Sequence, residues 1–164
     1  MSSSTPELSA AVITVSDSCS RGERTDLSGP AVADVLKKHK FAVVGTTTVP
    51  DEQAVIQQAI RSWVDRARLV VTTGGTGVAP RDVTPEATRA VCERILEGVA
   101  ERMRSQGAKK TPLAALSRAV CGVRGKSVIL NLPGSPAGAV QSLESVIDLV
   151  PHALQLLGGN TEHE

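Results

Sequence analysis

At Leu69-Val70-Val71-Thr72-Thr73-Gly74-Gly75-Thr76-Gly77, a compact apolar run passes directly into a glycine-rich turn, and this junction is the clearest local sign of the fold class. A short apolar run bounded by such a turn predicts a strand. The glycines permit positive φ angles and leave backbone N–H groups uncovered, so the turn suits a phosphate or a carboxylate. It is neither the GxGxxG pattern nor a Walker loop. Taken alone, it is compatible with a plain tight turn as well as with an anion site.

Similar apolar runs elsewhere in the chain predict further strands at 10–15, 41–49, 119–123 and 127–130. Apolar residues at helical spacing predict helices at 31–36 and 52–63, from 84 to about 105 with a break near Gly98, from 136, and from 151 to Gly158-Gly159. Thr84-Pro85-Glu86 supplies a capping hydroxyl, a helix-entry proline and a first-turn acid. Strands that alternate with helices predict an α/β protein with a largely parallel sheet covered on both faces. We expect one domain at 10–158, with a flexible start at 1–9 and a flexible end at 159–164.

Composition excludes several classes of function. The 164 residues carry 18 basic and 17 acidic side chains, a net charge of +1, and only Phe41 and Trp63 as aromatics. A near-balanced chain with so few aromatic rings has neither a basic face nor a base-stacking platform, so we expect no binding to nucleic acid or membranes. Cys19, Cys92 and Cys121 lack the spacing of a zinc site or a disulfide framework. The polar first residues lack a signal-like apolar stretch, which predicts a cytoplasmic protein.

A second loop at the end of a predicted strand is Asn131-Leu132-Pro133-Gly134-Ser135-Pro136. Ser135 and Pro136 are suited to the N-cap and the first position of a helix. A helix N-terminus also favours an anion, and a capped helix still presents free N–H groups. Ser117 and Arg118 are further donors for phosphate oxygens, although a surface charge is an equal interpretation of Arg118.

Acidic residues follow the same strands: Asp17 and Asp26 after the first, Asp51 after the second and Asp82 after the third. Carboxylates beside bound phosphates commonly hold Mg²⁺. Each acid alone also has a structural explanation as a helix cap or turn residue, but together beside glycine-rich loops they indicate a shared site. The histidines lie away from the strand ends, which argues against a Ser/His/Asp hydrolase. The residues therefore predict a protein with two anion loops and an acidic, Mg²⁺-holding rim that handles a nucleotide or another phosphorylated small molecule.

The chain resembles the molybdopterin adenylyltransferases, a family that includes the bacterial MogA- and MoaB-type proteins and the G domain of gephyrin. The resemblance extends over residues 10–157 and is carried by Thr14-Val15-Ser16-Asp17-Ser18, by Gly74-Gly75-Thr76-Gly77-Val78-Ala79-Pro80-Arg81-Asp82-Val83-Thr84-Pro85-Glu86, by Thr111-Pro112-Leu113 with Leu116-Ser117-Arg118, and by Asn131-Leu132-Pro133-Gly134-Ser135. It implies a three-layer α/β/α sandwich, usually a homotrimer. It also implies Mg·ATP-dependent adenylylation of molybdopterin with release of pyrophosphate, and contact with the downstream molybdenum-insertion protein.

Site roles follow from the resemblance. Asp51, Asp82 and Asp26 match acidic positions that the family uses for activity. Asp51 and Asp26 are expected to act with Mg²⁺, and Asp82 in substrate positioning. The residues expected to bind molybdopterin or nucleotide are Ser16, Asp17, Gly74, Gly75, Thr76, Gly77, Ser117, Arg118, Asn131, Pro133, Gly134 and Ser135.

The chain departs from the family pattern at two places. Gly107 stands where close relatives carry a serine, and Glu97-Gly98 stands where a Pro-Gly is common. Two alternative functions remain: a non-catalytic molybdopterin-binding scaffold, and a nucleotide pyrophosphatase domain as in competence-damage proteins. The residues do not discriminate between molybdenum and tungsten pathways, or between trimer and hexamer.

Overall fold

A computed structural model describes residues 8–159, in which six strands form a single sheet. The strands are β1 (Ser9–Val15), β2 (Ala42–Val49), β3 (Leu69–Thr73), β4 (Arg94–Ile95), β5 (Cys121–Arg124) and β6 (Ser127–Leu132). Their spatial order is β2-β1-β3-β6-β5-β4. The first four of these run parallel, whereas β5 and β4 are antiparallel to their neighbours. The predicted mostly parallel sheet is confirmed.

Helices cover both faces of this sheet. They are α1 (Asp17–Ser20), α2 (Ser28–Lys38), α3 (Gln53–Trp63), α4 (Thr84–Val91), α5 (Glu97–Ala108), α6 (Pro136–Val146) and α7 (Val150–Leu157), with 3₁₀ turns at Pro112–Leu116 and Ile147–Leu149. Helices α2, α5, α6 and α7 pack into one core, and α3 and α4 pack into the other. The molecule is therefore the predicted three-layer α/β/α sandwich.

Strand β1 illustrates why the sheet is buried on both faces. Ala10 and Val12 point into the core beneath α2 and α6, and Ala11 and Ile13 point into the core beneath α3 and α4. All four side chains are buried. Burying a valine or isoleucine side chain contributes about 1.5–3 kcal/mol to stability, so an all-apolar strand is stable only between two helix layers.

The segment after α4 corrects one prediction. The helix from Thr84 ends at Val91, and a short strand precedes the next helix, which begins at Glu97 rather than after a break at Gly98. The backbone N–H groups of Glu93 and Leu96 donate to carbonyl groups on the β5 side of the sheet, at 2.8 and 2.7 Å. Those bonds replace helical ones, and β4 is too short to show a strand pattern in the sequence.

Ser9, the last residue of the predicted flexible start, belongs to β1 and is fully buried. Residues 1–7 and 160–164, which make up most of the predicted flexible ends, lie outside the described residues. Among the helices described, none is long and apolar enough to cross a membrane.

The parallel strands place the functional loops together. Because β1, β2, β3 and β6 run in one direction, their carboxyl ends meet at one edge of the sheet. Ligands of open α/β sheets bind at this edge. The loops 16–27, 50–52, 74–83 and 133–135 all leave the sheet there.

Candidate active site

The glycine turn after β3 is shaped by two residues with positive φ angles, Gly74 at +107° and Gly75 at +72°. A Cβ on Gly74 would collide with the carbonyl oxygen of Val15, and one on Gly75 would collide with Oγ1 of Thr84. The N–H of Gly74 donates to the carbonyl of Leu132 at 3.0 Å. Both the backbone conformation and the lack of space therefore require glycine at this turn.

Thr84 is the first residue of α4, and its role differs from the predicted cap. The N-cap is Val83, whose side chain makes no capping bond. The Thr84 hydroxyl instead donates to the carbonyl oxygen of Gly74 at 2.9 Å and is buried. Thr84 thus fastens the glycine turn to the start of the helix.

Two cavities lie at the carboxyl edge of the sheet. The first, which we call the large cavity, has a volume of about 490 Å³ and includes Met103, Arg104, Leu113, Leu116, Ser117 and Gln141 in its wall. The second, the acidic cavity, has a volume of about 390 Å³ and includes Ser16, Arg24, Asp26 and Asp51. Both are lined by Gly75, Asp82, Gly134 and Ser135, which together we call the seam.

Most of the predicted site residues line one of these cavities. Besides the seam, the large cavity contains Thr76, Gly77, Ser117 and Pro133. The acidic cavity contains Ser16, Asp26, Asp51 and Gly74. Three predicted residues line neither cavity: Asp17, Arg118 and Asn131.

Asp51 follows β2, and its carboxylate lies beside the glycine turn. Its Oδ2 accepts the N–H of Asp17 at 2.9 Å. Its Oδ1 lies 3.2 Å from where a Cβ on Gly75 would stand, so this oxygen faces the turn. Burial, and to a lesser extent the nearby charges of Asp17 and Asp82, raise the pKa of Asp51. An acid with a raised pKa in the wall of a cavity is typical of a functional carboxylate.

Asp17 supports Asp51 from behind the cavity wall. Asp17 Oδ1 accepts the N–H of Asp51 at 2.9 Å, the reciprocal of the bond described above. Arg81 donates to the same carboxylate twice, from Nε to Oδ2 and from Nη2 to Oδ1, both at 2.9 Å. These hydrogen bonds lower the pKa of Asp17, and those from Arg81 have the largest effect. Asp17 therefore joins the loops after β1, β2 and β3.

Asp26 lines the acidic cavity and also fastens the start of α2. Its carboxylate accepts from the Thr14 hydroxyl at 2.7 Å, from the Gly29 N–H at 3.0 Å and from the Ser28 hydroxyl at 3.4 Å. These bonds agree with the interpretation of Asp26 as a turn residue, and the N-cap of α2 is Leu27, which makes no side-chain capping bond. The turn role and a place in the cavity wall coexist.

Asp82 stands in the seam at the end of the loop after β3. Its Oδ2 accepts the N–H of Ala79 at 3.0 Å, which closes a tight turn. The same oxygen lies 2.9 Å from where a Cβ on Gly77 would stand. Since the charge of Asp82 also acts on Asp51, the two carboxylates share one electrostatic environment at the junction of the cavities.

Asn131 is buried in β6 and has no exposed surface. Its Oδ1 accepts the N–H of Val120 at 3.0 Å, and its Nδ2 donates to the hydroxyls of Thr72 and Thr88, both at 2.9 Å. The side chain thus connects β6 to the segment before β5, to β3 and to α4. Its contacts lie inside the protein rather than at the cavities.

Ser135 behaves as its sequence predicts. It is the N-cap of α6, its Oγ accepts the N–H of Gly138 at 3.1 Å, and Pro136 is the first helical residue. The capping interpretation is confirmed, and because Ser135 also lies in the seam, the N-terminus of α6 is directed toward both cavities.

Two arginines in the cavity walls are not among the residues predicted from the sequence. Arg104 on α5 lines the large cavity, and its Nη1 donates to the carbonyls of Ser117 and Ala119 at 3.4 and 3.1 Å. Arg24, in the loop after α1, lines the acidic cavity. Arg104 precedes Gly107 by three residues, a spacing that places both on one face of a helix. This spacing is the only sequence feature that connects Arg104 with the site. The loop around Arg24 has no periodicity that points to it.

The acidic cavity has a donor set that suits Mg²⁺. Asp26 and Asp51 line it, and hard carboxylate oxygens are the ligands this ion prefers. Among the residues described, no group of three or more His, Cys, Asp or Glu forms a complete metal cage. Mg²⁺ is usually held by one or two carboxylates together with substrate phosphates. The donor chemistry of the two carboxylates is therefore compatible with Mg²⁺ that has further ligands from outside the protein.

Comparison with known families gives one match over most of the chain. Residues 11–152 match the family model described as "Probable molybdopterin binding domain". The matched range begins in β1, ends in α7 and includes every residue of the seam.

Three relatives illustrate the similarity. The molybdopterin adenylyltransferase of Helicobacter pylori strain J99 is 42% identical over 153 residues, which cover 91% of this chain and 87% of that protein. The molybdenum cofactor synthesis protein cinnamon of Drosophila melanogaster is 43% identical over 152 residues, but the chain spans only 25% of its length. The crystal structure of the molybdopterin biosynthesis enzyme MoaB from Thermus thermophilus is 51% identical, with a TM-score of 0.87 and coverage of 93% of this chain and 97% of that one.

Proposed function

The chain belongs to the molybdopterin-binding domain family, and from that premise we propose that it is an adenylyltransferase that acts on molybdopterin with Mg·ATP and releases pyrophosphate. One observation carries the proposal: a large cavity and an acidic cavity meet at Gly75, Asp82, Gly134 and Ser135. A reaction between two phosphorylated substrates needs two neighbouring sites whose phosphate ends converge.

The walls of the two cavities suggest which substrate each takes. Met103, Leu113 and Leu116 give the large cavity an apolar side, and Ser117 gives it a polar one. A flat pterin, with apolar faces and polar edges, suits such a wall. Asp26 and Asp51 make the other cavity suitable for a triphosphate that carries Mg²⁺.

The seam would hold the reacting phosphates. Gly75 lines both cavities, and a glycine-rich turn leaves backbone N–H groups that suit a phosphate. Ser135 is the N-cap of α6, and the N–H groups of a helix N-terminus favour negative charge. Asp82 stands between the cavities and would fix the orientation of the substrates there.

The reaction needs positioning more than a reactive side chain. An oxygen of the terminal molybdopterin phosphate attacks the α-phosphorus of ATP, the bond from that phosphorus to its β-bridging oxygen breaks, and pyrophosphate leaves with the electron pair. Attacking and leaving groups are both anionic, so alignment and charge neutralisation supply the rate. Asp51 and Asp26 would hold Mg²⁺, which when bound neutralises part of the triphosphate charge.

Two cysteines do not offer an alternative covalent route. Burial raises the pKa of the Cys92 thiol to about 11 and that of the Cys121 thiol to about 12. Both stay protonated at neutral pH and are poor nucleophiles. An adenylylated cysteine at either position is therefore not part of the mechanism.

The test is whether turnover needs both substrates. The purified protein is incubated with Mg·ATP, with and without molybdopterin, and adenylylated molybdopterin and pyrophosphate are followed. We expect both products only when both substrates are present. Nucleotide cleavage without molybdopterin would instead support a pyrophosphatase, and binding of both substrates without turnover would support a scaffold.

We expect a homotrimer, measured by light scattering at several protein concentrations. We also expect a cytoplasmic location and contact with the protein that inserts the metal in the next step. Omission of Mg²⁺, with EDTA present, should abolish turnover and leave molybdopterin binding intact.

A further inference from the structure

Arg118 holds the loop between β3 and α4 at both of its ends. Its backbone N–H donates to the carbonyl of Thr76 at 2.8 Å. Its side-chain Nε donates to the carbonyl of Gly77 at 2.8 Å, and Nη2 donates to the carbonyl of Asp82 at 2.7 Å. Residues at the beginning and at the end of the loop are thus bound to one arginine.

The remaining nitrogen of the guanidinium binds the helix that follows the loop. Nη1 of Arg118 donates to Oε2 of Glu86 at 2.6 Å. Glu86 lies in the first turn of α4, and the hydrogen bond from Arg118 lowers its pKa. All three guanidinium nitrogens are therefore engaged with the protein, and the side chain lies outside both cavity walls.

The carbonyl groups that Arg118 binds belong to residues of the cavities. Gly77 lines the large cavity, and Asp82 belongs to the seam. Between them, residues 78–81 are exposed, so the loop has little packing of its own. Its shape depends on hydrogen bonds: Arg81 in the middle of the loop binds Asp17, and Arg118 makes three bonds at its two ends.

We propose that Arg118 is a positioning residue for adenylyl transfer, which sets the place of Asp82 and Gly77 at the junction of the two cavities without contacting either substrate. The inference rests on the proposed function. Arg118 then acts on the site through the residues that it holds, in place of the expectation that its side chain binds substrate.

Arg118→Lys is the informative substitution, because it keeps the positive charge and loses the planar set of N–H donors of the guanidinium. An ammonium group at 118 cannot reach the carbonyls of Gly77 and Asp82 and the carboxylate of Glu86 in the directions that the planar guanidinium fixes. A displacement of about 1 Å at a reacting centre lowers rates about 100-fold. We therefore expect R118K to lower kcat by about 10- to 100-fold, with KM for ATP and for molybdopterin within about threefold of wild type.

The matched control is Arg89→Lys. Arg89 lies on α4, is exposed, and has its Nη2 3.9 Å from Oε1 of Glu97. We expect R89K to keep wild-type kcat. A wild-type kcat in R118K would overturn the proposal. A large rise in KM with kcat unchanged would also overturn it, because that result means a substrate contact.

Chemical rescue separates positioning from a general loss of structure. In Arg118→Ala, methylguanidinium should restore kcat in a saturable manner, and methylammonium should not, because only the first has the planar set of N–H donors. Equal rescue by both cations would mean that charge alone matters, which would contradict the proposal.

A readout that does not depend on turnover keeps the two proposals distinguishable. In the free protein, hydrogen–deuterium exchange should be faster at 76–86 in R118K than in wild type, and unchanged at 28–38 in α2. If wild type makes no product, the proposed function fails while exchange still reports on the anchoring of the loop. If wild type is active and R118K shows no change in kcat or in exchange, the positioning role alone fails.

Discussion

Gly107 on α5 faces the methyl group of Ala114 so closely that a Cβ at 107 would stand 3.0 Å from it. Both residues line the large cavity. The neighbouring methyl group therefore occupies part of the space that a side chain at 107 would need.

The first prediction uses this contact. Because Ala114 crowds position 107, Gly107→Ser alone should change molybdopterin affinity little, whereas the double variant G107S/A114G should tighten it by about 3- to 10-fold, the value of one added hydrogen bond. Titration of molybdopterin by fluorescence measures both, with A114G as the control. An unchanged dissociation constant in the double variant would mean that the serine hydroxyl makes no pterin contact.

The second prediction concerns Ser117 in the large cavity. Ser117→Ala removes a hydroxyl from the wall, and the dissociation constant for molybdopterin should rise by about 3- to 10-fold with ATP affinity unchanged. Ser62→Ala is the matched control, because that hydroxyl donates to the carbonyl of Ala59 on α3, far from either cavity. Equal affinities for molybdopterin in wild type and S117A would remove Ser117 from the site.

The third prediction concerns the contribution of Asp51 to kcat. Asp51→Asn keeps an oxygen that can accept the N–H of Asp17 and removes the negative charge. We expect at least about a 100-fold fall in kcat with molybdopterin affinity preserved, since lost charge stabilisation of this kind costs about 3 kcal/mol. Single-turnover product formation measures the change. Wild-type turnover in D51N would show that Asp51 has no role with Mg²⁺ or the phosphates.

The fourth prediction concerns the same residue and the pH dependence of stability. The pKa of Asp51 is raised in the folded protein, chiefly by burial, so the folded state holds this proton more tightly than the unfolded chain. The contribution of Asp51 to stability is therefore fully present below the unfolded value of 3.8 and is lost as the pH rises through the folded pKa. D51N should thus gain free energy of unfolding relative to wild type as the pH rises from about 3 to about 6. Urea titrations across this range should show the difference growing, and a shrinking difference would contradict the sign.

The fifth prediction separates a buried residue from a binding residue. Asn131→Ala leaves the Val120 N–H and the hydroxyls of Thr72 and Thr88 without their partner. The free energy of unfolding should fall by about 2–4 kcal/mol. Urea unfolding measures the loss, with the exposed Gln58→Ala as the control. Full stability with weakened substrate binding would assign Asn131 to the site instead.

The glycine turn and the Ser135 cap were predictable from the sequence, whereas the hydrogen bonds between distant loops were not. The strand and turn at 69–77 and the cap at Ser135 depend on adjacent residues, and both appear as predicted. Arg81 reaches Asp17 across 64 residues, and Arg118 reaches Gly77 across 41. No spacing rule in a single sequence identifies such pairs, because folding alone brings their loops together.

The acidic residues illustrate the same limit. Their positions after successive parallel strands predicted that Asp26, Asp51 and Asp82 meet at one edge, and all three line the acidic cavity. Asp17 follows the same rule but turns toward Arg81 and the Asp51 N–H. The order of the strands determines the edge at which a residue lies, and its hydrogen-bond partners determine the direction in which its side chain points.

Under the proposed function, the adenylyl group of ATP, with its α-phosphorus, passes to molybdopterin where the two cavities meet. Isotope labelling tests this transfer: ATP labelled with ³²P at the α-position or at the γ-position is supplied with Mg²⁺ and molybdopterin, and the label is located in the products. We expect the α-label in the pterin product and the γ-label in pyrophosphate. Label from the γ-position in the pterin product, or α-label recovered only as free AMP, would contradict adenylyl transfer.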